Sequence, residues 1–487
     1  MEPPATDKAL SAHDGGDTSP IVVEDDDNDN VELTGAEKAL ERRLRLKVDL
    51  RLCTIAGILC SLNLLDSGVL GSASVTSMID DLELYGNRYS VSIFVFTIAS
   101  IALQLPSTIA IRTFGPRLWL AGITFLFGLI TMCSAFVTTW KQMIALRVLL
   151  GFAMSGIYPG LTYLISTWYP RKEQQTRFAF LQSGEVIILA TGSIVNYGLN
   201  TLDGRGGLAG WRYMFLVQGL ISMVIGVITY FWMVDFPEQA HKSIWFLTEE
   251  EQRLAVQRIN RDRKDVEIEQ FAWAKVLVHA RDPKVYAFAV LFFLLNLVST
   301  SLSYFLPIIL QSGMGFDENQ AILLSAPPYY YAVIPVILSS IVGDKFRLRG
   351  PVIVFNCLCL IAGFVMLGFA SQVTVRYVGC FLATGAYISN WAALNAYQAN
   401  NVVGQWKRVF TAAAVTAMNG AGGIAGSFIV RNNEAPRYIT AVWVSIGSHI
   451  LMIVLVAGLS VFFLAQNRAA RVGKQTLENV QGFRYTF

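Results

Sequence analysis

The sequence predicts an all-α integral membrane protein whose twelve transmembrane helices form two six-helix bundles, and three observations carry that prediction. Hydrophobic residues make up 54% of the 487 and charged residues only 15%, against about 25% charged in an ordinary soluble domain, and mean hydropathy is +0.47. Apolar runs recur along the chain, each long enough for the roughly 20 residues a helix needs to cross the hydrocarbon core. A charged stretch from Asp235 to Asp282 divides these runs six and six.

In the middle of that stretch Glu249, Glu250, Glu251, Arg253, Arg258, Arg261, Asp262, Arg263 and Lys264 alternate with Ala255 and Ile259 near helical spacing. This pattern predicts a short amphipathic surface helix. The domain plan is a disordered cytoplasmic tail over 1–48, a bundle over 49–234, a cytoplasmic loop over 235–283, a second bundle over 284–465 and a cytoplasmic tail over 466–487. Residues up to about 35 hold Pro3, Pro4 and the acidic run Glu24 to Asp29 with few large apolar residues, too little surface to fold. No apolar signal segment follows the start. Twelve spans with short connections leave no room for a soluble catalytic domain. The net charge of +3 is scattered between spans, so no nucleic-acid partner is expected. Cys53, Cys60, Cys133, Cys357, Cys359 and Cys380 all fall in apolar runs and read as packing residues, not as a disulfide framework or zinc site. His13, His241, His279 and His449 lie apart, with no ligand spacing. Neither a cofactor nor a metal is expected.

Span one, about 52–72, holds Asp66, and a carboxylate in the bilayer costs several kcal/mol unless it faces an aqueous cavity or a partner. A role in function and a structural ion pair are both open. Span two, about 90–110, ends in the basic loop Arg112 to Arg117. Span three covers about 118–137. Span four starts near Gln142 and places Arg147 about 8 Å below the outer surface, the same depth as Asp66, so the two can offset each other's desolvation. Gly151, Ser155, Gly156 and Gly160 allow neighbouring helices to approach closely. Span five, about 178–199, carries Glu185 roughly 10 Å from the inner surface, on the other side of the midplane from Asp66. That arrangement suits a site reached alternately from each side, and pairing with Gln182 or a neighbouring helix is the plainer alternative. Span six covers about 213–234.

Span seven, about 286–309, is expected to break at Pro307 and carries Asn296, Thr300 and Tyr304. Span eight, about 320–342, must bend at Pro327, Pro328 and Pro335, and carries Tyr330. The basic loop Gly343 to Arg349 that follows matches the one after span two, as two related halves require. Span nine, about 351–370, leads to span ten, about 375–397, with Asn390 and Trp391. Spans eleven and twelve cover about 409–430 and 439–463, and Gly422 and Gly426 lie four apart in eleven. Arg171, Lys172, Lys345, Arg347, Lys407 and Arg408 fall in loops on one side, and Asp80, Asp81, Glu83, Asp317 and Glu318 on the other. The excess of basic residues places both termini in the cytoplasm.

The motifs then add up. Asp66 to Ala73, Tyr158-Pro159-Gly160, Gly207 to Arg212, Asp235-Phe236-Pro237-Glu238, Leu247 to Glu251, Ser303 to Pro307, Ala326 to Tyr329, Asn400-Asn401 and Ala435 to Tyr438 resemble the fungal anion:cation symporter family of the major facilitator superfamily, the allantoate and nicotinate permease branch. The resemblance covers nearly all of the chain after residue 40. It implies the major facilitator fold and alternating-access transport of a small organic solute, generally a carboxylate, driven by protons. The chain departs from the family in three places: Ser67 stands where an arginine usually follows the span-one aspartate, Met154 where span four has a glutamate, and Gln104 where span two ends in a glutamate. Arginine supplies a planar fork for a carboxylate, so these departures speak against a simple nicotinate site and favour a cavity rebuilt for a neutral or weakly charged solute.

The expected function is therefore secondary active transport of a vitamin-, carboxylate- or metabolite-like solute, proton-coupled, by a non-enzymatic monomer of the plasma membrane. Its partners are the solute, protons and the lipid bilayer. Asp66, Glu185 and Arg147 are the expected coupling residues, and Asn296, Thr300, Tyr304, Tyr330, Asn390 and Trp391 the expected solute contacts. Export of a secondary metabolite and a transport-inactive nutrient sensor are the alternatives.

Overall fold

A backbone amide in hydrocarbon must find its partner within its own segment, which leaves the helix as the unit of construction. The computed structural model describes residues 35–169, 171–242, 246–263, 278–346, 348–403, 405–472, 477–479 and 483–487. The expected tail residues 1–34, Lys264 and Arg347 lie outside the described residues, as do the side chains of Arg171, Lys172 and Asp344. The first half runs α1 Gly35–Val48, α2 Thr54–Ala73, α3 Arg88–Ala102, α4 Gln104–Phe114, α5 Pro116–Ser134, α6 Trp140–Met154, α7 Ile157–Trp168, α8 Arg171–Asn200 and α9 Gly210–Trp232. The surface helix of the central loop is α10, Glu249–Arg263. The second half runs α11 Pro283–Ile308, α12 Glu318–Leu324, α13 Ala326–Phe346, α14 Arg349–Phe369, α15 Val373–Asn401, α16 Gln405–Gly426 and α17 Ile439–Arg471.

These helices form twelve columns in the expected order, with α3 and α4, α6 and α7, and α12 and α13 each sharing one. Eight columns are long and apolar enough to cross a membrane by length and composition alone. The other four are α3 with α4, α8, α15 and α16. All four, α3, α8, α15 and α16, meet the opposite half, where small and polar side chains face protein and not lipid.

Three pairings recur in both halves. The first and fifth columns pack as the seventh and eleventh do, the second and fourth as the eighth and tenth, and the third and sixth as the ninth and twelfth. This is the internal repeat expected from the two basic loops. Gly422 and Gly426 set the α11–α16 seam, since a Cβ on either would lie 2.3 Å from the carbonyl oxygen of Phe293 or Leu297.

Several expectations change. The tail expected over 1–48 is helical from Gly35, because its apolar edge has somewhere to go: Leu44 and Val48 are buried with Trp168, Tyr169 and Ala255 around them. Pro307 does not break its helix, which continues to Ile308 and ends in a π-helical turn over Ile309–Gly313. The interruption in span eight comes at Ser325, ahead of Pro327 and Pro328. The last helix reaches Arg471, past the boundary expected at 465. Cys133 is exposed and Cys359 partly so, while the other four cysteines are buried and free.

The end from which the described terminal segments emerge, the terminal end, is held by two acidic clasps. In the first half Glu251 of α10 accepts from Lys47 at 2.6 Å, Arg258 meets Glu41 at 3.0 Å, and Asp49 accepts from the Tyr169 hydroxyl at 2.6 Å. In the second half Glu478 accepts from Lys407 at 2.7 Å and from Lys284 and the Tyr485 hydroxyl, while Asp282 pairs with Lys407 at 2.5 Å. The chain end is tied down beside it: Asn467 and Asn401 accept from the amides of Tyr485 and Thr486 at 3.0 and 2.9 Å. In each clasp an acid that follows the sixth column of its half returns to a lysine at the terminal end of that half's first column, Lys47 just ahead of α2 and Lys284 at the start of α11.

Candidate transport site

Asp66 and Arg147 meet. Asp66 lies in α2 and Arg147 in α6, and Arg147 Nη1 donates to Asp66 Oδ2 at 2.6 Å, with both side chains at most 2% exposed. Burying each charge alone would be prohibitive, and the pair offsets that cost. Among the described residues Asp66 Oδ1, Arg147 Nε and Arg147 Nη2 have no hydrogen-bond partner. The fork and the carboxylate therefore share one bond where two are available. The Arg147 guanidinium also sits 5.9 Å from the Phe215 ring centroid.

The distal ends of the halves close over this pair. A Cβ on Gly71 would lie 3.0 Å from the Tyr304 carbonyl oxygen. The Tyr89 hydroxyl donates to that same carbonyl at 3.1 Å. Gln311 donates to the Val75 carbonyl at 3.0 Å, and Asn200 donates to Glu318 and Asn319 at 2.7 and 3.0 Å. All five contacts join the two halves. Tyr304, expected to touch solute, thus sits with the ion pair, within electrostatic reach of both its charges.

Glu185 is separate from them. It is half-buried in α8, with the Cys60 thiol as its hydrogen-bonding neighbour and Tyr158 close by. Those neighbours belong to the first and fourth columns, so Glu185 faces the interior of the first bundle.

The remaining expected residues divide. Asn296 donates to the Asn419 carbonyl at 2.8 Å, and a Cβ on Gly423 would lie 3.0 Å from Asn296 Nδ2 and 3.5 Å from both Thr300 Oγ1 and Thr97 Cγ2. Asn296 and Thr300 therefore sit where α11, α16 and α3 converge. Tyr330 and Thr191 share a 2.9 Å hydrogen bond between hydroxyls across α13 and α8. Trp391 stacks edge-on against Phe292 at 5.7 Å. Asn390 is fully buried and donates to Cys357 Sγ at 3.4 Å, on the side of α15 that packs against α14.

Sequence reasoning missed Tyr89, Gln311, Asn200 and both clasps. Gly71 was within reach, since it falls inside the Asp66 to Ala73 motif. Two other motifs now have local roles. Trp211 donates to Asp81 at 2.7 Å and Arg212 to the Ala135 carbonyl at 2.7 Å, sealing the distal end of the first bundle. Asp235 meets Arg117 at 3.5 Å and its carbonyl accepts from Trp168 at 3.0 Å, at the terminal end.

The family model described as Major Facilitator Superfamily matches residues 56–427. The chain belongs to the major facilitator superfamily. Within it, fungal transporters align over most of their length. The high-affinity nicotinic acid transporter of Saccharomyces cerevisiae is 30% identical over 418 residues, 85% of this chain and 76% of that one. A transporter of Schizosaccharomyces pombe is 30% identical over 404 residues, covering 82% of this chain and 79% of that one. The MFS-type transporter cnsO of Penicillium expansum is 28% identical over 449 residues, 90% and 86% of the two chains. Among solved structures, the partially occluded inward-open xylose transporter XylE from E. coli superposes with a TM-score of 0.64 at 16% identity, over 84% of this chain and 98% of that one, a likeness of fold. This facilitator is thus a multi-pass membrane transporter.

Proposed function

We propose that this facilitator is a proton-coupled secondary active transporter of a small organic solute, acting as a monomer without enzymatic activity. The observation that carries the reading is the buried, singly bonded Asp66–Arg147 pair directly beneath the closed distal contacts. A carboxylate that takes up a proton loses its hold on the guanidinium, and a pair with one bond has less to lose than a bidentate one. Glu185, on the other side of the midplane, supplies a second proton acceptor.

Solute sits between the halves near the midplane, as in related folds, where Asn296, Thr300, Tyr304, Tyr330 and Trp391 offer hydrogen bonds and aromatic faces. Asn390 joins them only if α15 shifts against α14. With Arg147 engaged by Asp66, that pair offers no full positive charge to an anion, and Ser67 supplies none. This supports a neutral or weakly charged, aromatic or amide-bearing solute over a dicarboxylate. Basic residues at the terminal end, Arg112, Arg117, Lys345 and Lys407, against Asp80, Asp81, Glu83, Asp317 and Glu318 at the distal end support cytoplasmic termini, and the plasma membrane is the location proposed.

The test is transport by purified protein in liposomes under an imposed pH gradient, offering nicotinate, nicotinamide and a set of neutral aromatic amides. Gradient-dependent accumulation of a neutral solute is the expected result. Accumulation that ignores the gradient refutes coupling, and robust nicotinate transport refutes the neutral-solute assignment.

A further inference from the structure

We propose that Tyr89 is the positioning residue of a distal gate, its hydroxyl tying the second column of one half to the Tyr304 carbonyl of the other directly above the Asp66–Arg147 pair. This rests on the alternating-access reading and deepens it by naming the contact that holds the distal side shut.

Tyr89 is 3% exposed. Its hydroxyl lies 3.1 Å from the Tyr304 carbonyl oxygen and 3.5 Å from that of Leu70, one turn beyond Asp66 on the same helix. Its ring packs edge-on against Phe305 at 5.3 Å. Tyr89 therefore touches α2, which carries Asp66, and α11, which carries Tyr304. The Tyr304 carbonyl lies within the α-helix, and its oxygen, with two lone pairs, can accept the Tyr89 hydroxyl in addition to a ladder bond. Gly71 allows the approach, since a Cβ there would press on the same carbonyl at 3.0 Å. Of the four hydrogen bonds across the distal ends, Gln311–Val75 and the two from Asn200 lie further out, at the helix ends. The Tyr89 bond is the innermost and lies within electrostatic reach of both charges of the ion pair. A change of partner at Asp66 is thereby felt first at this bond.

Loss of one neutral hydrogen bond weakens an equilibrium by about fivefold. The experiment measures distances between spin labels in the full chain in liposomes, in a Cys133→Ser background, and needs neither solute nor gradient, so its outcome is independent of the transport assay. One label pair, Phe136→Cys with Ser371→Cys, spans the distal ends, and a second, Thr113→Cys with Lys345→Cys, spans the terminal ends. Tyr89→Phe keeps the ring and removes only the hydroxyl, and Gly71→Ala adds only the Cβ. Both are expected to raise the distal-open to distal-closed ratio by roughly fivefold, with a reciprocal shortening at the terminal ends, while Tyr85→Phe on the exposed neighbouring loop leaves both distributions as in the parent. Parent-like distributions for both Tyr89→Phe and Gly71→Ala overturn the proposal. So does widening at the distal ends without shortening at the terminal ends, which is local loosening and not a change of state.

Discussion

Arg147 and Asp66 share one 2.6 Å hydrogen bond, from Nη1 to Oδ2, in a region where both side chains are almost inaccessible. The geometry makes each residue dependent on the other. Removing one partner of a buried pair leaves an uncompensated charge, at about 3–5 kcal/mol, whereas removing both is often close to neutral.

Arg147→Gln alone is therefore expected to lower the thermal midpoint of the detergent-solubilised protein by several degrees, and the double variant Asp66→Asn with Arg147→Gln to recover most of the loss. Additive losses in the double variant would mean that the two side chains stabilise the fold independently.

Ser67→Arg places a charge beside this pair. Ser67 is buried and its hydroxyl bonds to the Leu64 carbonyl at 2.7 Å within its own helix, so an arginine there would lose that bond and bring a second buried cation close to Arg147. The expected outcome is a less stable protein that gains no nicotinate uptake. Nicotinate uptake well above that of the parent would show that only a clamp was missing and the cavity was otherwise intact.

The terminal clasps respond to pH in a defined direction. Burial pushes the Glu251 and Glu478 carboxyls up, but Lys47 and the Thr248 amide at Glu251, and Lys284, Lys407 and Tyr485 at Glu478, outweigh it and hold both below the usual glutamate range. A depressed carboxylate contributes stability that is present above its unfolded value, about 4.3, and lost as pH falls through its folded value. Glu478→Gln should therefore cost about 2 kcal/mol at any pH from 6 to 8. The difference from the parent should shrink in acid below about pH 4. Unfolding midpoints across that series check this, and a difference that grows in acid would reverse the assignment.

The columns, the order of the halves and the surface helix of the central loop were legible because apolar runs and their interruptions are large, local signals. Asp66, Arg147 and Glu185 were legible for the same reason: a charge in an apolar run stands out, and depth along two antiparallel helices brings Asp66 to Arg147. The gate was not, because Tyr89 acts through a backbone carbonyl, and no side-chain pattern marks which helix carbonyl takes a second bond. The clasps were hidden by distance, since Lys47 and Glu251 lie far apart in sequence and each looks like an ordinary solvated charge. Asn390 illustrates the limit of reading faces from a single helix. Its amide is polar and central, yet α15 turns it towards Cys357 and α14.

Glu185→Gln isolates the second carboxylate. With Cys60 as its hydrogen-bonding neighbour, the amide can keep the local packing, so expression and thermal midpoint should stay near the parent while gradient-driven accumulation falls at least tenfold, about 1.4 kcal/mol in coupling. A drop in stability with unchanged accumulation would make Glu185 a packing residue.

The most direct measurement follows accumulation and exchange together in liposomes bearing the parent, Asp66→Asn or Glu185→Gln, under an imposed pH gradient and with a solute the parent concentrates. Gradient-driven accumulation should be lost or sharply reduced in both variants, with solute exchange across the membrane partly retained, because the cavity survives and only the proton acceptor is gone. Both variants concentrating solute as the parent does would contradict a role for these carboxylates in coupling.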